Sequence, residues 1–120
     1  MSDTSTPVYE ALRDALRAES PVVLATITAG TNLGAKLLAK SDGTVLGTLG
    51  NPDLDRVVAR DALGELQAGL TSTRHYGEHG EAREDTVSVF IESFAPPPRM
   101  VIFGAVDFTA ALAKIAKVLG

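Results

Sequence analysis

The sequence predicts an α+β domain, in which a small mixed sheet packs with two or three helices, followed by a truncated Rossmann-like strand–helix unit. Three observations favour this class. Several short runs are β-branched and apolar, as buried strands are. Two longer segments repeat apolar residues at helical spacing and begin with a capping residue followed by proline. Three consecutive prolines at 96–98 form a stiff connector before the final segment.

The first predicted helix has Thr6 as N-cap and Pro7 at its first helical position. It ends near Glu19, because the next residue precedes a proline and is biased away from helical geometry. Its apolar stripe is Val8, Leu12, Ala15 and Leu16. The runs after it predict strands at 22–28, 35–40 and 44–48, a loop at 30–34 and a hairpin turn at 41–43.

The longest predicted helix has Asn51 as N-cap, Pro52 at its first position and Gly69 at its end. Its apolar face consists of Leu54, Val57, Val58, Ala62, Leu63 and Leu66. The charged residues that fall largely outside this face are Arg56, Arg60, Asp61 and Glu65. The segments after it predict a strand at 71–76, an exposed charged loop at 77–85 and a strand at 86–94.

The final segment predicts a separate unit. Residues 100–103 are apolar and bounded by proline and glycine, which is typical of a short buried strand. Gly104 opens a turn, and Asp107 can cap a helix. The apolar stripe of that helix is Phe108, Leu112, Ile115, Ala116 and Leu119. The predicted organisation is an α+β domain at 1–95, a proline linker at 96–98 and a partial Rossmann-like unit at 99–120.

Composition excludes several classes of protein. The net charge of −4 and the pI near 5.0 argue against nucleic-acid binding, and no apolar run is long enough to span a membrane. The absence of cysteine excludes disulfides, thiolate metal sites and a cysteine nucleophile. No signal peptide is visible, so a cytoplasmic location is the simplest expectation.

Two short motifs resemble functional signatures without meeting their requirements. His75, Glu78 and His79 match the H-x-x-E-H pattern of one zinc-protease class, but Gly77 interrupts the helix that this pattern needs. The turn at 104–107 has only the first glycine of a dinucleotide-binding fingerprint. No nucleophile–base pair stands out either, so we expect no metal site, no catalytic residues and no enzymatic activity.

Two glycine-flanked loops form the candidate cofactor-binding region. In the first, Lys36 and the backbone near Gly34 can meet a phosphate; the alternative is an ordinary loop with the lysine in solvent. In the second, Thr48, Gly50 and Asn51 precede a helix N-terminus, where N–H groups and the helix dipole favour anions. The alternative there is simple capping.

The order of motifs resembles the XdhC/CoxI family, accessory proteins of molybdenum hydroxylases. The stretches that carry the resemblance are 22–27, 34–38, 42–44, 47–50, 87–92 and 96–108. The resemblance implies the family's N-terminal domain plus the first strand and helix of its Rossmann domain. It also implies a chaperone-like role, in which the chain binds molybdenum cofactor (molybdopterin), a hydroxylase such as xanthine or carbon monoxide dehydrogenase, or both, and assists cofactor maturation or insertion.

The chain departs from the family pattern where the family carries cysteines. It has Asn51 and Pro52 after the hairpin glycines, and Arg-Glu-Asp at 83–85 before the last strand. Thiolate ligation of molybdenum is therefore not expected. The alternative function is a degenerate family member that acts as an oligomeric protein-interaction scaffold without cofactor binding.

The unit at 99–120 cannot bury both of its faces by itself. It either folds back on residues 1–95 or pairs with the same unit of a second chain. Because the stiff linker at 96–98 holds it away from the domain, we expect the second outcome, a homodimer whose interface includes residues 108–119.

Overall fold

The computed structural model describes residues 5–95, which form two helices and one five-stranded sheet. In chain order the elements are α1 (Ser5–Arg17), β1 (Val22–Ala29), β2 (Lys36–Lys40), β3 (Val45–Gly47), α2 (Pro52–Ala68), β4 (Ser72–Tyr76) and β5 (Val87–Phe94). The predicted α+β class is confirmed. The proline linker and the unit at 99–120 lie outside the described residues, so the domain organisation stays a prediction.

The strand order in the sheet is β3-β2-β1-β5-β4, and each of the four pairings is antiparallel. The sheet expected to be mixed is therefore antiparallel throughout residues 5–95. The hairpin between β2 and β3 forms as predicted, with Gly43 at a φ of +94°. The irregular segment between β4 and β5 confirms the loop predicted at 77–85.

Side chains alternate along the strands, so each face of the sheet has its own core. The core beneath α2 includes Val23, Ala25, Ile27, Leu37, Ala39, Val89 and Ile91 from the sheet and Leu54, Val58, Ala62 and Leu66 from the helix. On the other face, Val8 and Ala15 of α1 pack with Val22, Leu24 and Leu38. Leu16, predicted in the stripe of α1, is 48% exposed.

Both ends of α2 agree with the prediction. The Asn51 carboxamide oxygen accepts hydrogen bonds from the N–H groups of Asp53 and Leu54, at 2.9 and 3.1 Å. Gly69 ends the helix in the left-handed region, at a φ of 70°. By contrast, α1 begins at Ser5, one residue before its predicted N-cap. Neither helix in residues 5–95 is long and apolar enough to cross a membrane.

Glu65 corrects the prediction for α2. It was expected largely outside the apolar face, but it is only 4% exposed. Its carboxylate lies against β4, where the hydroxyl of Ser72 and the guanidinium of Arg74 donate to it. A helical pattern alone cannot reveal this burial, because the polar partners come from a strand further along the chain.

Candidate functional site

Three loops meet at the N-terminal end of α2 and surround a small pocket. Residues 30–34 connect β1 to β2, residues 48–51 precede α2, and residues 77–80 follow β4. The pocket has a volume of about 110 Å³. Its polar lining includes Thr31, Asn32, Asn51 and Glu78, one or two from each loop.

The first two loops are joined by one side chain. The Asn32 amide donates a hydrogen bond to the carbonyl oxygen of Leu49, at 3.2 Å. This amide also occupies the space beside Gly50, where a Cβ atom would overlap it. Gly50 has a φ of +102°, which L side chains rarely adopt. The positive φ favours a glycine here, and the missing Cβ also leaves room for the Asn32 amide.

The second and third loops are joined through Asn51. Its carboxamide oxygen caps α2, so its amide nitrogen faces outward and lies 2.9 Å from Nδ1 of His79. Because a carboxamide NH₂ group only donates, this contact requires an unprotonated Nδ1 on His79. The backbone N–H of His79 in turn donates to the carboxylate of Glu81, at 3.0 Å.

Several backbone donors at the predicted anion site are already engaged. The N–H of Leu49 donates to the Asp55 carboxylate at 2.7 Å, and the N–H of Gly50 donates to the Thr48 hydroxyl at 3.0 Å. That hydroxyl donates to Asp55 at 2.6 Å. Together with the cap at Asn51, these bonds correspond to the capping alternative. They leave an acidic surface at the helix N-terminus.

Lys36 lies apart from this pocket. It pairs with Thr26 across β1 and β2, and its Nζ donates to the Thr26 hydroxyl at 3.1 Å. The same Nζ is 5.9 Å from the centroid of the Tyr9 ring in α1. The structure therefore brings Thr48, Gly50 and Asn51 together, but it puts the lysine on the α1 side of the sheet.

Gly34 belongs to the first loop of the pocket region. Its N–H donates to the carbonyl oxygen of Ile27 at 2.8 Å, and nothing lies within 4 Å of where its Cβ would stand. Its neighbour Leu33 is 69% exposed. This end of the loop is thus open to a partner, although the N–H of Gly34 is used within the sheet.

The described residues fit only part of a molybdenum cofactor. In residues 5–95 no group of three or more His, Asp or Glu side chains could hold a metal ion, and the chain has no cysteine. The pocket is also smaller than the roughly 300–1,000 Å³ typical of ligand sites. In this pocket, neither ligation of the metal nor enclosure of the whole cofactor is supported. A surface contact with its phosphate through Lys36 remains compatible with the geometry.

A polar cluster between α2 and β4 was missed by the sequence analysis. Asp61 accepts a hydrogen bond from the Tyr76 hydroxyl at 2.8 Å, and Glu65 accepts one from Arg74 Nε at 2.8 Å. Burial and the bond to Asp61 raise the pKa of Tyr76, and the bond to Glu65 raises the pKa of Arg74. The spacing of these residues in the sequence could have indicated the cluster. Asp61 and Glu65 are four residues apart on a helix, so they share a side of it. Ser72, Arg74 and Tyr76 are every second residue of a strand, so they share a face of the sheet. Their mutual pairing indicates a structural role.

The two histidines lie in different surroundings. His75 is in β4, with Nδ1 at 2.9 Å from the Asp85 carboxylate, and His79 is in the following loop beside Asn51. The helix that the H-x-x-E-H pattern requires is not formed between 75 and 79.

Comparison with known proteins adds two findings. The family model described as the XdhC and CoxI family matches residues 15–77, which is more than half of the chain. The uncharacterized protein YqeB of Escherichia coli (strain K12) is 32% identical over 94 residues. That similarity covers 72% of this chain but only 17% of the relative, so the chain spans less than a fifth of the length of that protein.

Proposed function

Since the chain belongs to the XdhC and CoxI family, we propose that it is a non-enzymatic accessory protein of a molybdenum hydroxylase, such as xanthine or carbon monoxide dehydrogenase. It binds the hydroxylase, its molybdenum cofactor, or both, and assists cofactor maturation or insertion. One observation carries the proposal: the matched residues 15–77 include loops 30–34 and 48–51, which line one pocket. We assign the contact with the partner to this pair of loops.

The surface at these loops favours the hydroxylase as the primary partner. Leu33 projects from the first loop and is 69% exposed, so it offers an apolar contact that a protein surface can bury. Around it, backbone donors are used within the chain and Glu78 lines the pocket. An anion would gain few hydrogen bonds here and would meet negative charge.

Leu33→Asp should weaken binding of a molybdenum hydroxylase by about tenfold or more, because a carboxylate in an apolar contact loses its hydration. Binding is measured by biolayer interferometry with the purified hydroxylase. Leu70→Asp is the matched control, since Leu70 is 55% exposed and follows the other end of α2. Equal affinity in the two variants would exclude loop 30–34 from the contact.

The cofactor half of the proposal has a separate test at Lys36. Lys36→Ala should raise the dissociation constant for molybdopterin by about tenfold, the contribution of one charge-assisted contact to a phosphate. Isothermal titration calorimetry measures this constant. Lys40→Ala is the control, because this lysine lies on the same strand and the same side of the sheet. An unchanged constant in Lys36→Ala removes that residue from the site.

The second candidate function is an interaction scaffold that has lost cofactor binding. The absence of cysteine and the internal use of the donors near Asn51 favour it. Hydroxylase capture without any molybdopterin binding would support the scaffold, whereas binding of neither would contradict both functions. The homodimer stays a prediction, because the expected interface at 108–119 lies outside the described residues.

A further inference from the structure

The pocket at the N-terminal end of α2 has the size of one side chain. Its volume is about 110 Å³, whereas an apolar cavity of ~150 Å³ holds one benzene molecule. Its apolar lining consists of Leu49, Leu54 and Val87, each no more than 2% exposed. This volume and this lining suit the end of one long side chain that projects from another molecule.

The polar groups of the pocket offer more acceptors than donors. The Asn32 amide nitrogen donates to the carbonyl of Leu49, which leaves the carboxamide oxygen of Asn32 to accept. The Glu78 carboxylate forms no hydrogen bond or ion pair within the part of the chain that the structure describes. The Asn51 amide is already engaged by a histidine nitrogen, and the Thr31 hydroxyl can serve in either role. The pocket therefore selects a group that donates hydrogen bonds.

Charge favours a cation at the same place. Of the described residues that line the pocket, Glu78 is the one that carries a charge. The first turn of α2 adds Asp55, which forms no ion pair within residues 5–95. The positive end of the helix dipole opposes a cation, but Asn51 caps the first N–H groups and the charge of Asp55 offsets the dipole. The pocket therefore attracts a positively charged donor.

Arginine combines the properties that this pocket selects. Its stem is apolar, and its planar guanidinium has five N–H donors that can reach separate acceptors. A lysine ammonium is a compact, strongly hydrated charge, so it gains less from acceptors on different loops. Leu33, 69% exposed in the same loop as Asn32, adds an apolar contact beside the pocket. Arginine is also enriched among the residues that contribute most to protein–protein binding.

We propose that this pocket takes one arginine side chain of the hydroxylase, with the guanidinium on the Glu78 carboxylate and the Asn32 carboxamide oxygen. The stem of that arginine lies against Leu54, and Leu33 contacts the partner surface around it. The identity of the partner rests on the proposed function, whereas the preference for arginine rests on the pocket alone. The inference adds loop 77–80 to the contact surface.

Nα-acetylarginine amide is the probe for the pocket, because it carries the side chain without a charged backbone. In an NMR titration of the full chain at low ionic strength, it should shift the signals of residues 31–32, 49–51 and 78. Its neutral isostere, Nα-acetylcitrulline amide, should bind about fivefold more weakly, since it keeps the shape and loses the charge.

Two variants assign this preference to the pocket. Glu78→Gln should bind the two probes equally, because it removes the charge that distinguishes them. Glu10→Gln removes the same charge from an exposed position on α1, across the sheet, and should keep the preference for the arginine probe. Equal binding of the two probes by the unchanged protein would overturn the proposal, and so would a preference that persists in Glu78→Gln.

The purified hydroxylase provides the second measurement. Glu78→Gln should weaken its binding about fivefold at low ionic strength and reduce the dependence of binding on salt, whereas Glu10→Gln should not. Hydroxylase binding that is equal in the two variants would refute the arginine contact and leave the accessory role intact. If the hydroxylase did not bind at all while the arginine probe did, the proposed function and this partner would be wrong, and the preference of the pocket would stand.

Discussion

Glu65→Ala should lower the free energy of unfolding by about 2–4 kcal/mol, since it removes a buried hydrogen-bonded carboxylate. Glu65 is 4% exposed, the Ser72 hydroxyl that donates to it lies 2.9 and 2.8 Å from its two carboxylate oxygens, and Arg74 Nε donates to it at 2.8 Å. Without it, the half-buried Ser72 hydroxyl loses its acceptor and a void opens between α2 and β4. Arg74 remains near water, with its side chain 44% exposed, which limits the cost.

Urea unfolding followed by circular dichroism measures this change. The midpoint of thermal unfolding should fall by about 8–32 °C, given about 4–8 °C per kcal/mol for a domain of this size. Glu65→Gln keeps the side-chain volume and an acceptor for Ser72, so it should lower the free energy of unfolding by about half as much as Glu65→Ala. Glu10→Ala, at an exposed position on α1, should change the free energy by less than about 0.5 kcal/mol. If Glu65→Ala matched Glu10→Ala, the cluster would contribute nothing to stability.

Gly50→Ala should destabilise the protein by about 2–3 kcal/mol through two effects. The backbone has a φ of +102°, which strains any L residue, and the new methyl group would overlap the Asn32 amide. Displacing that amide breaks its bond to the Leu49 carbonyl, which joins loops 30–34 and 48–51. Because the proposed partner surface consists of these loops, hydroxylase affinity should fall as well.

Gly43→Ala separates strain from overlap. Gly43 has a similar φ, +94°, but nothing lies within 4 Å of where its Cβ would stand. The Gly43→Ala substitution should lower the free energy of unfolding by only about 1 kcal/mol, which is the contribution of backbone strain. In a variant that already carries Asn32→Ala, Gly50→Ala should likewise lower the free energy of unfolding by only about 1 kcal/mol. The double-mutant cycle of these two substitutions measures the contribution of the overlap as a coupling energy. If the cost of Gly50→Ala were the same with and without Asn32, the overlap would not be its cause.

Local sequence determined the features that depend on neighbouring residues. Asn51, Pro52 and Gly69 specify both ends of α2, because capping bonds and left-handed termination involve only the adjacent turn. The hairpin at Gly43 and the β-branched run of β1 follow for the same reason. The α+β class, and the order of motifs that indicates the family, are also readable from the chain alone.

Tertiary structure decided the features that depend on distant partners. The burial of Glu65 requires β4, and the position of Lys36 on the α1 side requires its register with β1. A pairing shifted by one residue would reverse the faces of every side chain in β2. Because α1 contacts β1, β2 and β3, Phe90 of β5 is only half-buried, whereas Val89 and Ile91, on the side of α2, are buried. Helical and strand periodicity identify which residues share a face, but only long-range packing determines what covers that face.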